Sequence, residues 1–555
     1  MTGIVVFAAA FLLYFHTAVP VFFFEDNAEF ITAAYTLGIT HFPGYPLISS
    51  AANIAGTLPL GGFGFRCNAF SSFIGALAVY FFYRCSMEMT GDKKVSLAAA
   101  TVFALSGNLW TQTSILKVYS AHYALIFGLF WMALAGRLSD FRWLLFSSFL
   151  FGIGVANHLS FSLMLIPVCI VWISQRESWR YRLTVGRAAL LPLAGLFSWT
   201  TQLYLLARSH SPAHDIFFSW GRITETGTFL KAITGAAYAS LPFNMEPWET
   251  RFAAYGGYLA SAMPLWAWIL TAMLSAVGAS ALYRNAKPRL TALLTGAAFF
   301  SAYTLLHGAA VDIMHVPPWG FIILLGGCAI AELPPLIRNP LPVTVAALAI
   351  MVAFARFGDY DHHRDYSAYD YMADVTDTVP QHGRLALTAG KLENFLIQYA
   401  EFGPARAAWP KGDGDAYIPY LSLDIPTNTA YGLLNTFSAT GRTEWPDTRS
   451  YPPPEDFTPP PGSRLARYAP KAYTIAGIHL QRGYYELGMG RVQAATADFS
   501  RAAAVYPERV KEDASIMNRR GEDAKALMLM EEVDRNNPAP ENGVILLQLR
   551  RRAAH

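Results

Sequence analysis

The chain has 555 residues, of which 53% are hydrophobic, 14% aromatic and only 15% charged, and its mean hydropathy of +0.28 excludes an ordinary soluble enzyme of this length in favour of a polytopic membrane protein. The 42 basic and 39 acidic residues leave a net charge of +3, which gives the bulk chain no pull on nucleic acid. Cys67, Cys85, Cys169 and Cys328 all lie in or beside apolar segments, so no disulfide framework is expected.

The first apolar run, residues 3–24, lacks a basic leader and a small-residue cleavage site and is as long as a bilayer is thick, so a retained first helix is expected. Further apolar segments follow near 65–87, 95–112, 119–136, 142–157, 159–174, 188–207, 256–283, 290–306, 319–337 and 340–357. The expectation is about eleven transmembrane helices. Basic residues gather in alternate loops, "RCSMEMTGDKK", "GRLSDFR", "SQRESWRYRLTVGR" and "LYRNAKPR". Lys and Arg are retained on the cytoplasmic side. The N-terminus is therefore expected inside, and after an odd number of spans the polar tail emerges on the outer face. A bacterial inner membrane is the expected setting.

The same arithmetic sends the remaining ionisable groups to one interface. Glu25, Asp26 and Glu29 follow the first helix in "FFFEDNAEFITAAYTLGITHFPGYPL", with His41 before the Pro-Gly turn. Lys117 and His122 in "LKVYSAHYAL", Asn157 and His158 in "GVANHLS", the loop "RSHSPAHDIFFSWGRITETG", and Asp312 and His315 in "HGAAVDIMHVPPWG" fall on that side too. A single interfacial His or Lys serves as well for anchoring, but polar groups at membrane depth are costly, and their convergence points to a site.

Beyond the membrane segment, expected at 1–357, composition turns charged and rich in Pro and Gly. "GRLALTAGKLENFLIQYAEF" reads as a βα unit, giving an α/β segment over 358–450. "SYPPPEDFTPPPGS" marks a stiff proline-rich linker, 451–470. In 471–555, Gly483, Gly490, Ala495, Phe499, Ala502 and Pro507 stand at the spacing of a tetratricopeptide repeat, with a weaker second copy containing Gly521, Ala526 and Pro538.

An acidic pair outside the first helix, then "AEFITAAYTLGITHFPGYPL" with its His-x-Pro-Gly-x-Pro turn, resembles the first outer loop of GT-C membrane glycosyltransferases, and more closely the domain-of-unknown-function family 2723, whose animal member is a protein O-mannosyltransferase. The likeness is good over residues 1–200. It implies a GT-C-like membrane fold and transfer of a sugar from a polyprenyl-phosphate donor to a hydroxyl at the outer interface. By position Asp26 matches the general base on the acceptor and Glu29 its supporting acid. Lys117 stands where relatives carry an acidic residue, and Phe42 where proline is common; the first departure counts against a required metal.

The residue types suit that chemistry. A hydroxyl attacking an anomeric carbon needs a base, and the departing phosphate needs cations or donors. His41, Lys117, His122 and His158 are the expected donor- and phosphate-binding residues. No cofactor and no metal are expected, since the lipid-phosphate sugar is a substrate and a monophosphate leaving group has less need of a divalent ion. The partners implied are the lipid bilayer, the polyprenyl-phosphate sugar, and a protein Ser/Thr, lipid or glycan acceptor. Mannose is the sugar that the resemblance implies. A transporter or lipid flippase is the alternative, but such proteins carry their charged groups near the bilayer midplane on inverted repeats, and no such repeat is evident here.

Overall fold

The computed structural model describes residues 1–23, 26–211, 223, 225–236, 248–262, 265–307, 311–366, 368–369, 384–385, 416–417, 476, 479–480, 483–484, 486–487, 490–519, 522–538 and 540–553. They fall into two compact units, the first Met1–Tyr366 and the second from Ser367 onward.

The first unit opens with α1 (Thr2–His16), α2 (Asp26–Thr36), α3 (Pro46–Ala55), α4 (Phe63–Thr90), α5 (Lys93–Ala104), α6 (Gly107–Ser114), α7 (Tyr119–Leu134) and α8 (Phe141–Asn157). It continues through α9 (Leu165–Ser174), α10 (Val185–Trp199), α11 (Leu203–Ser209), α12 (Thr226–Ile233), α13 (Trp248–Ala262) and α14 (Leu265–Asn285). It closes with α15 (Lys287–His307), α16 (Val311–Met314), α17 (Val316–Glu332), α18 (Pro335–Arg338), α19 (Leu341–Ala355) and α20 (Phe357–Tyr360).

Among the described residues, five helices are long and apolar enough to cross a membrane, Phe63–Thr90, Val185–Ser209, Ala267–Asn285, Lys287–Leu306 and Pro335–Ala355. Five shorter apolar helices accompany them, Thr2–His16, Tyr119–Leu134, Phe141–Asn157, Leu159–Ser174 and Val316–Glu332. Of the eleven expected spans, five meet the length and composition of a span among the described residues. The segment at 95–112 is not one span: α5 ends at Ala104, and Ser106, in extended backbone, turns its hydroxyl back to the carbonyl of Phe103 (2.8 Å) before α6 begins. Serine competes in this way with helix propagation, which a hydropathy average does not register.

Helix α4 is the central element, with α1, α5, α7 and α17 against it. Phe82 of α4 stacks on Phe103 of α5 with ring centroids 4.2 Å apart, and both meet the edge of Phe127 from α7. Such ring pairs add to the dispersion gained by close packing. Polar groups inside this packing include paired ones: Tyr14 Oη donates to Ala104 O at 2.7 Å, and Trp110 Nε1 to Thr17 Oγ1 at 2.8 Å.

In the second unit, β1 (Arg384–Leu385) pairs in parallel with β2 (Ala416–Tyr417), and the remainder of the expected α/β segment beyond residue 369 lies outside the described residues, as do the linker at 451–470 and Gly521. Then α21 (Val492–Val505), α22 (Pro507–Arg519), α23 (Asp523–Asn536) and α24 (Pro540–Ala553) pack successively around Phe499, Met517, Leu529 and Val533.

Helix crossings in the first unit use glycines as contact points. A Cβ on Gly278 of α14 would lie 2.0 Å from the carbonyl oxygen of Leu325 in α17, whereas one on Gly186 meets nothing within 4 Å. Backbone cannot yield as a flexible side chain does, so Gly278→Ala is expected to cost about 1–3 kcal/mol. Thermal unfolding of the detergent-solubilised chain should show a lowered midpoint for Gly278→Ala and no change for Gly186→Ala; equal midpoints would mean that α14 and α17 separate freely.

Candidate active site

Asp26 and Glu29 occupy the first turn of α2, where the positive end of the helix dipole favours carboxylates. Between them Asn27 faces the interior: its Oδ1 accepts the Phe23 N–H at 2.7 Å, and its Nδ2 donates to Asn68 Oδ1 and to Leu116 O, each at 3.0 Å. The far end of α2 is closed from another helix. Arg208 of α11 donates from Nε to Leu37 O at 2.7 Å and from Nη2 to Thr36 O at 3.0 Å, satisfying carbonyls that a helix end leaves open.

The chain then turns back through His41. Both the backbone N–H and the Nδ1 of His41 reach the Glu29 carboxylate, the latter at 2.5 Å, so each Glu29 oxygen is engaged. Glu29 is fully buried. The His41 ring lies against Phe30 and Tyr45, and Gly44, with φ at +89°, lets the turn close on Leu205, where any side chain would collide. Burial works against a charge on His41, but Glu29 through charge and hydrogen bond, with Asp26 behind it, pushes the imidazole up to about 9. Burial raises the Glu29 carboxyl in turn, against the pull of His41.

Lys117, only 2% exposed, belongs to the same group, since its positive charge bears on His41. Asp26, Glu29 and His41 each offer a ligand atom within 4.8 Å of the others, a donor set that several divalent ions accept. Both Glu29 oxygens are turned to His41, and the charge of Lys117 bears on that same imidazole.

A second group lies at the start of α7. His122 Nε2 and His158 Nδ1 both meet the Ser160 hydroxyl, at 3.1 and 2.8 Å, and His122 Nδ1 is buried with no hydrogen-bond partner. Asn157 joins the two groups by donating from Nδ2 to Val118 O at 3.1 Å, one residue past Lys117. His315 stands apart, hydrogen-bonded through Nδ1 to Tyr255 Oη at 3.0 Å and lowered by burial to about 4.

Of the residues expected from sequence, Asp26, Glu29, His41 and Lys117 come together, and His122 joins His158 in a separate network. Glu25, most of the loop at 212–224 and the Asp312 side chain lie outside the described residues. Asn27, Asn68 and Ser160 were not anticipated. Asn68 carried a signal, as a fully buried amide within a membrane-length apolar helix.

The His41–Glu29 pair sets a pH dependence. The imidazole is at about 9 in the folded chain against an ordinary 6.5; the pair therefore stabilises fully below the unfolded value and is lost as pH rises through the folded one. The unfolding midpoint of the solubilised chain should fall between about pH 7 and about pH 10, and His41→Gln should flatten that decline. A wild-type midpoint constant over the range would show that this pair does not titrate there.

Comparison with known proteins finds a likeness over the stretch that holds this site. Residues 26–182 match the family described as the protein O-mannosyl-transferase TMEM260 N-terminal domain. Protein O-mannosyl-transferase TMEM260 of Mus musculus is 29% identical over 214 residues, which cover 37% of this chain and 30% of the mouse protein. The protein of the same description from Dictyostelium discoideum is 23% identical over 261 residues, 43% of this chain and 31% of its own length. The chain thus spans under a third of the length of these relatives. All residues of both polar groups lie inside the matched stretch, so over residues 26–182 the part of the chain that carries them is similar to the protein O-mannosyl-transferase TMEM260 N-terminal domain.

Proposed function

We propose that the chain is a membrane glycosyltransferase of GT-C type that transfers a sugar, mannose by likeness to its relatives, from a polyprenyl-phosphate donor to a hydroxyl, in the first place a protein Ser or Thr. The observation that carries this reading is the pairing of a part-exposed Asp26 with a Glu29 already engaged on both oxygens by His41. Of the two carboxylates at the head of α2, only Asp26 is left to receive a proton.

Asp26 takes the proton of the acceptor hydroxyl as its oxygen attacks the anomeric carbon from the face opposite the phosphate. The bond from that carbon to the phosphate oxygen breaks, its electrons leave with the polyprenyl phosphate, and the sugar is inverted. Lys117 faces the charge that grows on the phosphate, a role suited to a preorganised cation away from water. Glu29 and His41 hold the turn that walls the cleft, and His122, Ser160 and His158 bind the donor head group. Donor tails reach such a centre from lipid and acceptors from water, which favours the outer interface and an extracytoplasmic tail whose helical hairpins act as tetratricopeptide-like accessories.

The test uses the full-length chain with farnesyl-phosphate mannose as donor and a Ser/Thr peptide as acceptor. Asp26→Asn is expected to lower turnover by at least about 10²-fold with donor affinity nearly unchanged. Glu29→Gln should cost less, and Lys117→Met should weaken donor binding. Near-normal turnover in Asp26→Asn with abolition in Glu29→Gln would move the base to Glu29; indifference to both would remove the glycosyltransferase reading.

With its acids countered by His41 and Lys117, the centre runs without a metal. Turnover in excess EDTA should stay within about twofold of the untreated rate, against losses of several orders for sites whose metal supplies the charge stabilisation. Loss of activity that manganese or magnesium restores would reverse this.

A further inference from the structure

Asp26 sits on α2 and Lys117 between α6 and α7, and one side chain meets both segments. Asn68, in the second turn of α4, accepts on Oδ1 from Asn27 Nδ2 at 3.0 Å and from the Leu116 N–H at 2.8 Å. Its Nδ2 donates to Val19 O at 3.0 Å and to Val21 O at 2.8 Å. Asn27, Asn68 and Leu116 are all fully buried. A primary amide offers two N–H donors and two acceptor lone pairs, so every capacity of Asn68 is used and its orientation follows from its partners. Aspartate would turn a second oxygen toward two carbonyls, an aliphatic residue would strand buried polar groups, and glutamine would add a methylene where there is no slack.

The geometry points to Asn68 as a positioning residue for the transfer proposed above, and the inference rests on that reading of Asp26 and Lys117. One amide holds both the residue that follows Asp26 and the peptide that precedes Lys117, while Asn157 holds Val118 on the other flank of Lys117 at 3.1 Å. The base and the phosphate-facing cation are thereby kept in register through α4, with no bond required between them. Displacements on the order of 1 Å in such arrangements cost about 10²-fold in rate. The role is therefore distinct from fold support, which would act regardless of whether Asp26 and Lys117 are present.

Double-mutant cycles on the full-length chain in nanodiscs separate the two. Turnover is read with farnesyl-phosphate mannose and a Ser/Thr peptide, and affinity by calorimetric titration of farnesyl phosphate. Asn68→Ser alone is expected to lower turnover by about 10²-fold and to weaken farnesyl phosphate binding by about tenfold. In the Asp26→Asn background the same change should cost less than about threefold in turnover, and in the Lys117→Met background less than about threefold in affinity. The full cost in both backgrounds, or no cost in the parent, overturns the proposal. If Asp26→Asn alone keeps its turnover, the base assignment falls and the affinity cycle with Lys117→Met still decides the role of Asn68; if Lys117→Met alone keeps its affinity, the turnover cycle decides it. Should Asn68→Ser fail to accumulate in the membrane, Asn27→Ser cuts the link to α2 together with the bonds of Asn27 to Leu116 O and Phe23 N–H, and spares the bonds of Asn68 to Val19 O, Val21 O and the Leu116 N–H. It must show the same non-additivity, and additive costs there overturn the proposal equally.

Discussion

Peptide groups withdrawn from water and not in a helix must still be hydrogen-bonded, and the site depends on how two such stretches meet that demand. Residues 17–23 and 115–118 run through the interior between helices. Val19 N–H finds Ser114 O at 3.2 Å and Thr17 O receives His362 N–H at 3.1 Å. Others turn to asparagine side chains, whose amide carries both donors and acceptors without charge. Asn27, Asn68 and Asn157 together satisfy Val19, Val21, Phe23, Leu116 and Val118. Every charged residue of the first group is carried on a segment tethered by these amides or packed against one that is.

The two polar groups have different physical characters. Around α2 the interactions are ionic, two carboxylates answered by an imidazole and an ammonium group, and their strength comes from exclusion of water. Around Ser160 the groups are hydroxyl and imidazole, arranged as a chain with an unused nitrogen on His122. The first arrangement suits charge that develops and moves, and the second suits the hydroxyls of a neutral partner. Asn157, whose neighbour His158 belongs to the second group, holds the backbone beside Lys117 of the first.

Much of this was legible in the sequence, for identifiable reasons. Asp26, Glu29, His41 and Lys117 stand out as ionisable residues at the ends of apolar runs but outside the strongly basic loops. In the tail, one small residue of the expected pattern does stand opposite a large one: Gly483 lies where a Cβ would be 2.4 Å from the Phe499 ring. The break at Ser106 and the roles of Asn27 and Asn68 were not, since a sliding average dilutes one polar residue among many apolar ones. Which donor answers which acceptor is decided only when α4 crosses both loops, and no local pattern encodes that crossing. The division of labour between Asp26 and Glu29 likewise emerges only once the turn brings His41 back to a single carboxylate.

The contact of Arg208 with the end of α2 has a mechanical side. Arg208 lies at the end of the apolar stretch Val185–Ser209, long and apolar enough to cross a membrane, of whose most apolar part only 17% is covered by protein. A helix in that situation takes its tilt from the hydrophobic thickness around it as well as from its neighbours. Its guanidinium grips the carbonyls of Thr36 and Leu37, and Tyr204 one turn earlier also donates to Leu37 O. The helix that bears the two carboxylates is therefore fastened at one end to the amide junction and at the other to a helix with little protein around it, so that where this helix spans a bilayer its tilt pulls directly on the end of α2.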